Sequence, residues 1–139
     1  MNPAISTSGA VWLVFYDGEC GLCHRFVERT IVRDRAGLFR FAPINGETFR
    51  ARVGGEPPRG TIVVLTPDGR RFVRSDAVVE ILKGLGGSDA RQAVWLARVP
   101  RILRDFGYRA VASVRRFLAP RPDGPCPLLP PELRGRFLP

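Results

Sequence analysis

The spacing of apolar residues changes several times along this chain, and each change predicts a change of element. Val11 to Tyr16 is an unbroken apolar run of the kind that fills a strand buried on both faces. Directly after it, Cys23, Phe26, Val27, Thr30 and Ile31 recur at i, i+3 and i+4, with His24, Arg25, Glu28, Arg29 and Arg33 between them. That stripe predicts an amphipathic helix. Leu38 to Ile44 then alternates, Phe39 and Phe41 against Leu38 and Arg40, and predicts a second strand. A helical crossover between two strands makes them parallel, so the first forty-odd residues read as a βαβ unit.

Residues 45–58 hold Gly, Pro and charged residues with a short helix expected over 47–53, and mark a surface connection. Thr61 to Thr66 is apolar enough for a buried strand, and Pro67-Asp68-Gly69 turns it into a partner over Arg70 to Arg74. Ser75 or Asp76 is expected to cap the next helix, which should turn Ala77, Val78, Ile81, Leu82 and Leu85 inward and end at Gly86-Gly87. Ser88 to Val99 and Pro100 to Leu118 predict two further helices. The second is expected to cover the sheet with Ile102, Leu103, Phe106, Ala110, Val111, Val114, Phe117 and Leu118, and to show Arg101, Arg104, Arg109, Arg115 and Arg116 to solvent. Frequent prolines from Pro120 to Pro139 interrupt regular structure. Three regions result: a core domain over 11–87, a basic amphipathic helical extension over 88–119 and a Pro-rich tail over 120–139.

Composition narrows the class. With 139 residues, 45% of them hydrophobic, the chain can build one core. Three cysteines are too few for a secreted disulfide scaffold, the first ten residues lack the basic and long apolar parts of a secretory signal, and no run reaches membrane-spanning length. A cytoplasmic protein is expected. The net charge of +9 comes from 22 basic residues of which Lys83 is the sole lysine, a bias toward arginine that does not by itself predict nucleic-acid binding. The arginine-rich helix is also of a type that lies on an anionic membrane or binds an acidic partner, although a cover over the sheet is the favoured reading.

Cys20 and Cys23 carry the candidate chemistry, because they stand where the first strand gives way to the first helix. Residues three apart on a helical turn are roughly 5 to 6 Å apart, a separation that a disulfide can bridge without moving the backbone. A thiolate at Cys20 would meet unpaired N–H groups at the positive end of the helix dipole, which lower a thiol pKa from about 8.5 toward roughly 3.5 to 7.5. Cys20 is therefore the expected nucleophile. Cys23, on the apolar stripe, is the expected resolving thiol.

Other readings of the pair compete. Cys20-Gly21-Leu22-Cys23-His24 is the c-type haem attachment pattern, yet His24 is the sole histidine and Met1 the sole methionine, so a second axial ligand is hard to find. A zinc site from Cys20, Cys23, Cys126 and His24 would ask adjacent Cys23 and His24 to point at one ion and lacks a second cysteine pair. Neither metal site is adopted. The two residues would also fit as ordinary core cysteines. Cys126 reads most simply as a free thiol, and a tail that folds back would bring it to Cys20.

The motif Asp17-Gly18-Glu19-Cys20-Gly21-Leu22-Cys23, with Phe39-Arg40-Phe41-Ala42-Pro43, Arg74-Ser75-Asp76-Ala77 and a tail containing Tyr108, Cys126, Pro127, Glu132-Leu133 and Arg136-Phe137, resembles the DCC family of thiol-disulfide oxidoreductases over nearly the whole chain. The resemblance implies a thioredoxin-like α/β fold, βαβ followed by ββα, with a helical C-terminal extension. It also implies protein-disulfide reductase activity, with Asp17, Cys20 and Cys23 as the name-giving positions and a disulfide-containing protein or small molecule as substrate. A noncatalytic adaptor of the same fold, binding an acidic partner or a membrane surface, is the alternative.

Three further positions have two readings each. Asp17 is either a proton acceptor for the thiols or an Asp-Gly turn leaving the strand. Thioredoxins place a cis-proline before the third strand, whereas here that place falls at Gly60-Thr61; Thr61 either offers its hydroxyl and backbone to the thiolate or substrate or simply starts a strand. Ser75 and Asp76 are either helix caps or, by similarity to the glutathione-binding turn of glutathione transferases and glutaredoxins, a seat for a γ-glutamyl carboxylate. Glutathione is thus implied as a cofactor, and no tightly bound one is expected.

Overall fold

The computed structural model describes residues 11–17, 21–56, 61–118 and 135–139, with side chains described in these spans except at 21–24, 112 and 115–118. Strand β1 (Trp12–Tyr16), helix α1 (Gly21–Arg33) and strand β2 (Phe39–Pro43) form the expected βαβ unit, with parallel pairing from Trp12 opposite Phe39 to Tyr16 opposite Pro43. After the short helix α2 (Glu47–Arg52), strands β3 (Val63–Leu65) and β4 (Arg71–Val73) make the predicted hairpin, and β3 runs antiparallel to β1. The four-stranded order is β2-β1-β3-β4, and helix α3 (Arg74–Leu85) follows without a gap. This is the thioredoxin-like βαβ-ββα arrangement. Helices α4 (Gly87–Arg98) and α5 (Arg101–Leu118) form the helical extension.

Alternation along the strands sorts the core into two halves. Val14, Tyr16, Phe39, Phe41 and Val64 face one side and pack with Val27 and Ile31 of α1 and Ala77 and Ile81 of α3. Leu13, Phe15, Ala42 and Val63 face the other, where Ile44, just after β2, and Phe49 of α2 pack with them. Val14, Phe15, Phe39 and Phe41 are wholly buried, which explains why β1 reads as an apolar run instead of an alternation. Gly84 lets α3 approach the sheet: a Cβ there would stand 2.7 Å from the Phe39 ring.

The start of α3 differs from expectation. Its N-cap is Val73, with no side-chain capping bond, so neither Ser75 nor Asp76 caps the helix. Arg74 holds φ at 56°, a left-handed conformation that costs a non-glycine residue about 1 to 3 kcal/mol and directs the chain from β4 straight into the helix. Ser75 and Asp76 fall inside the first turn, and their side chains are free to bond elsewhere.

The larger correction concerns α5. Ile102, Leu103 and Phe106 are 83%, 61% and 72% exposed, and Val111 and Val114 are exposed too. The expected orientation is inverted: Arg101, Arg104, Asp105 and Tyr108 hold the helix to the domain, and the apolar side faces out. The reason is space. The sheet face that α5 was expected to cover is already filled by α1 and α3.

The end of the chain returns to the sheet. Phe41 N–H donates to the Arg136 carbonyl at 2.9 Å, Leu138 N–H donates to the Phe41 carbonyl at 2.7 Å, and Phe137 packs on Tyr16 and Phe41. Asp34, buried at the end of α1, fixes this arrangement. Its carboxylate accepts the Leu38 and Phe39 N–H groups at 3.0 and 2.9 Å and Arg136 Nη1 at 3.1 Å. Residues 135–139 are thus part of the sheet layer, although the rest of the predicted tail, with Cys126, lies outside the described residues.

Candidate functional site

Strand register brings the sequence-predicted positions to one end of the sheet. β1 pairs Phe15 with Val63, so two residues further on Asp17 stands level with Thr61. β3 pairs Val63 with Val73, and the next residue, Arg74, donates its N–H to the Ile62 carbonyl at 3.2 Å. The start of α1, the half-buried Asp17, Thr61 and the first turn of α3 with Ser75 and Asp76 therefore share the edge at which β1 ends and β3 begins. Cys20 and the side chain of Cys23 lie outside the description, but the backbone of α1 begins at Gly21, one residue after Cys20.

Each of the three positions read as contacts for a cofactor or substrate is held by α5. The Ile62 N–H donates to the Tyr108 hydroxyl oxygen at 3.3 Å, and the Tyr108 and Thr61 hydroxyls share a hydrogen bond at 3.2 Å. Thr61 is 5% exposed. The Ser75 hydroxyl donates to the Asp105 carboxylate. Asp76 is bracketed, with Arg101 Nε and Arg104 Nη1 each 3.1 Å from a different carboxylate oxygen. Arg104 is nearly buried, and its Nε also donates to the Val99 carbonyl at 3.1 Å.

These contacts set the local electrostatics. The Ser75 hydrogen bond, aided by the positive charges of Arg101, Arg74 and Arg104, holds the Asp105 carboxyl below the ordinary aspartate range against the opposing effect of burial. Arg101, Arg104, Asp105 and Tyr108 recur at one-turn spacing and form the inner side of α5. The sequence reading assigned Arg101 and Arg104 to solvent and gave Asp105 no role. Their spacing was the available signal, and it was outweighed by the longer apolar stripe on the same helix.

A separate cavity of about 180 Å³ lies between α1, α3 and α4, lined by residues that include Phe26, Thr30, Val78, Leu82, Leu85 and Gln92. The Arg33–Asp89 ion pair stands at its wall. Thr61, Ser75 and Asp76 do not line it.

Comparison with known proteins covers most of the chain. A family model described as DCC1-like thiol-disulfide oxidoreductase matches residues 14–121. The chain is 30% identical over 131 residues to "Uncharacterized protein YuxK" of Bacillus subtilis, covering 91% of this chain and 93% of that protein. It is 31% identical over 114 residues to a protein of Arabidopsis thaliana described as a chloroplastic DCC family protein, covering 80% of this chain and 66% of the relative. No solved structure gives a significant match.

Proposed function

Because the chain belongs to the DCC1-like thiol-disulfide oxidoreductase family, we propose that it reduces disulfides through a dithiol formed by Cys20 and Cys23. The observation that carries this reading is the start of α1 at Gly21, at the same end of the sheet as Thr61 and the first turn of α3. A thiolate one residue before a helix meets that helix's unpaired N–H groups.

In the proposed reaction the Cys20 thiolate attacks one sulfur of a substrate disulfide, forming a mixed disulfide and releasing the other substrate sulfur as a thiolate, which takes up a proton. Cys23, deprotonated, then attacks Cys20 Sγ. The second substrate thiol leaves, and Cys20 and Cys23 are left joined. Two electrons have passed to the substrate, and an external dithiol or two molecules of glutathione restore the reduced pair. In this reading Asp17, the residue after β1, takes the proton that Cys23 gives up. A reducing compartment such as the cytoplasm suits this direction.

Glutathione at Ser75 and Asp76 is a separate proposal and a demanding one. Both side chains are held by α5, so a γ-glutamyl carboxylate would have to displace Asp105 from Ser75.

The test of the thiol roles is mass spectrometry of Cys20→Ser and Cys23→Ser after incubation with an oxidised peptide. Cys20→Ser should lose reduction and form no adduct, whereas Cys23→Ser should accumulate a mixed disulfide at Cys20. Reduction persisting in Cys20→Ser, or resolution of the wild-type intermediate by Cys126, would overturn the assignment.

A further inference from the structure

Exposed apolar side chains are ordinary when scattered, but on α5 they are organised. Ile102, Leu103, Phe106, Ala110 and Val114 are all exposed and lie opposite Arg101, Arg104, Asp105 and Tyr108, which anchor the helix. The preceding helix continues the pattern. Val94 and Trp95 are 54% and 70% exposed, and Arg91 and Arg98 stand one turn to either side, with the Arg98 guanidinium 5.2 Å from the Trp95 ring. Val99, between the helices, is exposed as well.

We propose that the exposed sides of α4 and α5 dock on an anionic lipid bilayer, with the apolar side chains entering the headgroup boundary and arginines pairing with lipid phosphates. The proposal is independent of the thiol chemistry. Charge selects this occupant over a second copy of the chain. The acidic residues of α4 and α5 are Asp89 and Asp105, and both are engaged inward, Asp89 with Arg33 and Asp105 with Ser75 and Arg101. The exposed Arg91, Arg98 and Arg109 would meet the same positive charges on a symmetric partner and find no free carboxylate on its α4 or α5. An anionic surface supplies the missing counter-charge. Trp95 under Arg98 has the amphipathic character of a side chain at a membrane interface. No helix among the described residues is long and apolar enough to cross a bilayer, so α5 would lie in the interface plane.

Co-sedimentation of the full chain with vesicles of phosphatidylcholine, alone or mixed with phosphatidylglycerol, tests the proposal. Binding to the mixed vesicles at low salt, weakened by added salt and largely absent with phosphatidylcholine alone, is the expected result. Ile102→Asp combined with Phe106→Asp should lower the partition coefficient about a hundredfold or more while leaving the circular dichroism spectrum unchanged, since both positions are solvent-facing. Arg98→Gln should lower it about fivefold. Three outcomes would overturn the proposal: no binding to the mixed vesicles at low salt, equal binding by the double variant, or a lipid-free dimer that the double variant dissociates. The last would make a second copy the occupant.

Discussion

Helices α3 and α5 have the same kind of sequence, an apolar stripe opposite a charged one, and the fold uses them in opposite ways. α3 sets Ala77 and Ile81, both fully buried, against the sheet. α5 turns Ile102, Leu103 and Phe106 outward and attaches through Arg101, Arg104, Asp105 and Tyr108. What separates them is the surface each one meets. α3 follows β4 directly and lands on an apolar sheet face, whereas α5 meets a threonine hydroxyl, a serine hydroxyl and an aspartate. Periodicity reports that a helix has two sides; the partner surface decides which side docks.

The sharpest way to break this contrast is to truncate one apolar residue on each helix. Ile81→Ala should destabilise the domain by about 2 to 5 kcal/mol, because a buried side chain takes its transfer energy with it and leaves a cavity. Phe106→Ala should change stability by no more than about 0.5 kcal/mol. Urea unfolding followed by circular dichroism gives both values. Comparable losses would mean that α5 buries its apolar side against the domain after all.

A smaller effect is expected from the polar attachment. Asp76→Ala removes the acceptor shared by Arg101 and Arg104, and the loss should be about 1 to 2 kcal/mol, since Arg104 is nearly buried but Arg101 is mostly exposed. The loss should appear as faster proteolysis within 101–118 before any change at the sheet. If glutathione-dependent turnover falls well beyond what this undocking explains, Asp76 has the binding role that its place at the start of α3 suggested.

Much of the sheet was legible because its signals are local. The runs at 11–16 and 61–66, the alternation at 38–44 and the Pro67-Asp68-Gly69 turn each report on their own backbone, and all four strands form where expected. Features set by distant partners were not legible. Asp34 looks like any charged residue at a helix end, but besides two nearby N–H groups its carboxylate accepts from Arg136, 102 residues away, and the two together pin 135–139 to β2. Ser75 and Asp76 read as caps because they follow a strand, yet the helix begins at the left-handed Arg74 with Val73 as its N-cap, which frees them for α5. The site itself was partly legible: register places Asp17, Thr61 and Ser75-Asp76 at one edge, but the attachment of Thr61, Ser75 and Asp76 to α5 depends on partners distant in the sequence.

The gentlest probe of the contrast is pH, because α3 docks through groups that do not titrate and α5 docks partly through Asp105. The Ser75 hydrogen bond and the nearby arginines lower the Asp105 pKa in the folded protein. A carboxyl whose folded pKa lies below its unfolded value of about 3.9 binds its proton more readily when unfolded, so its stabilising effect is complete above that value. It is lost as pH falls through the lower, folded-state value. Attachment of α5 should therefore be insensitive to pH from neutrality down to about 4 and weaken below it. Asp105→Asn should flatten that acid limb while leaving stability near neutrality only slightly lower, because the amide oxygen can still accept from Ser75 and Arg101, the charged partner, is mostly exposed and screened by solvent. Hydrogen exchange resolved along α5 would show the limb in 101–111 and not in 77–85. An identical acid response in both helices would place the sensitivity in the core domain and remove Asp105 as the determinant of α5 docking.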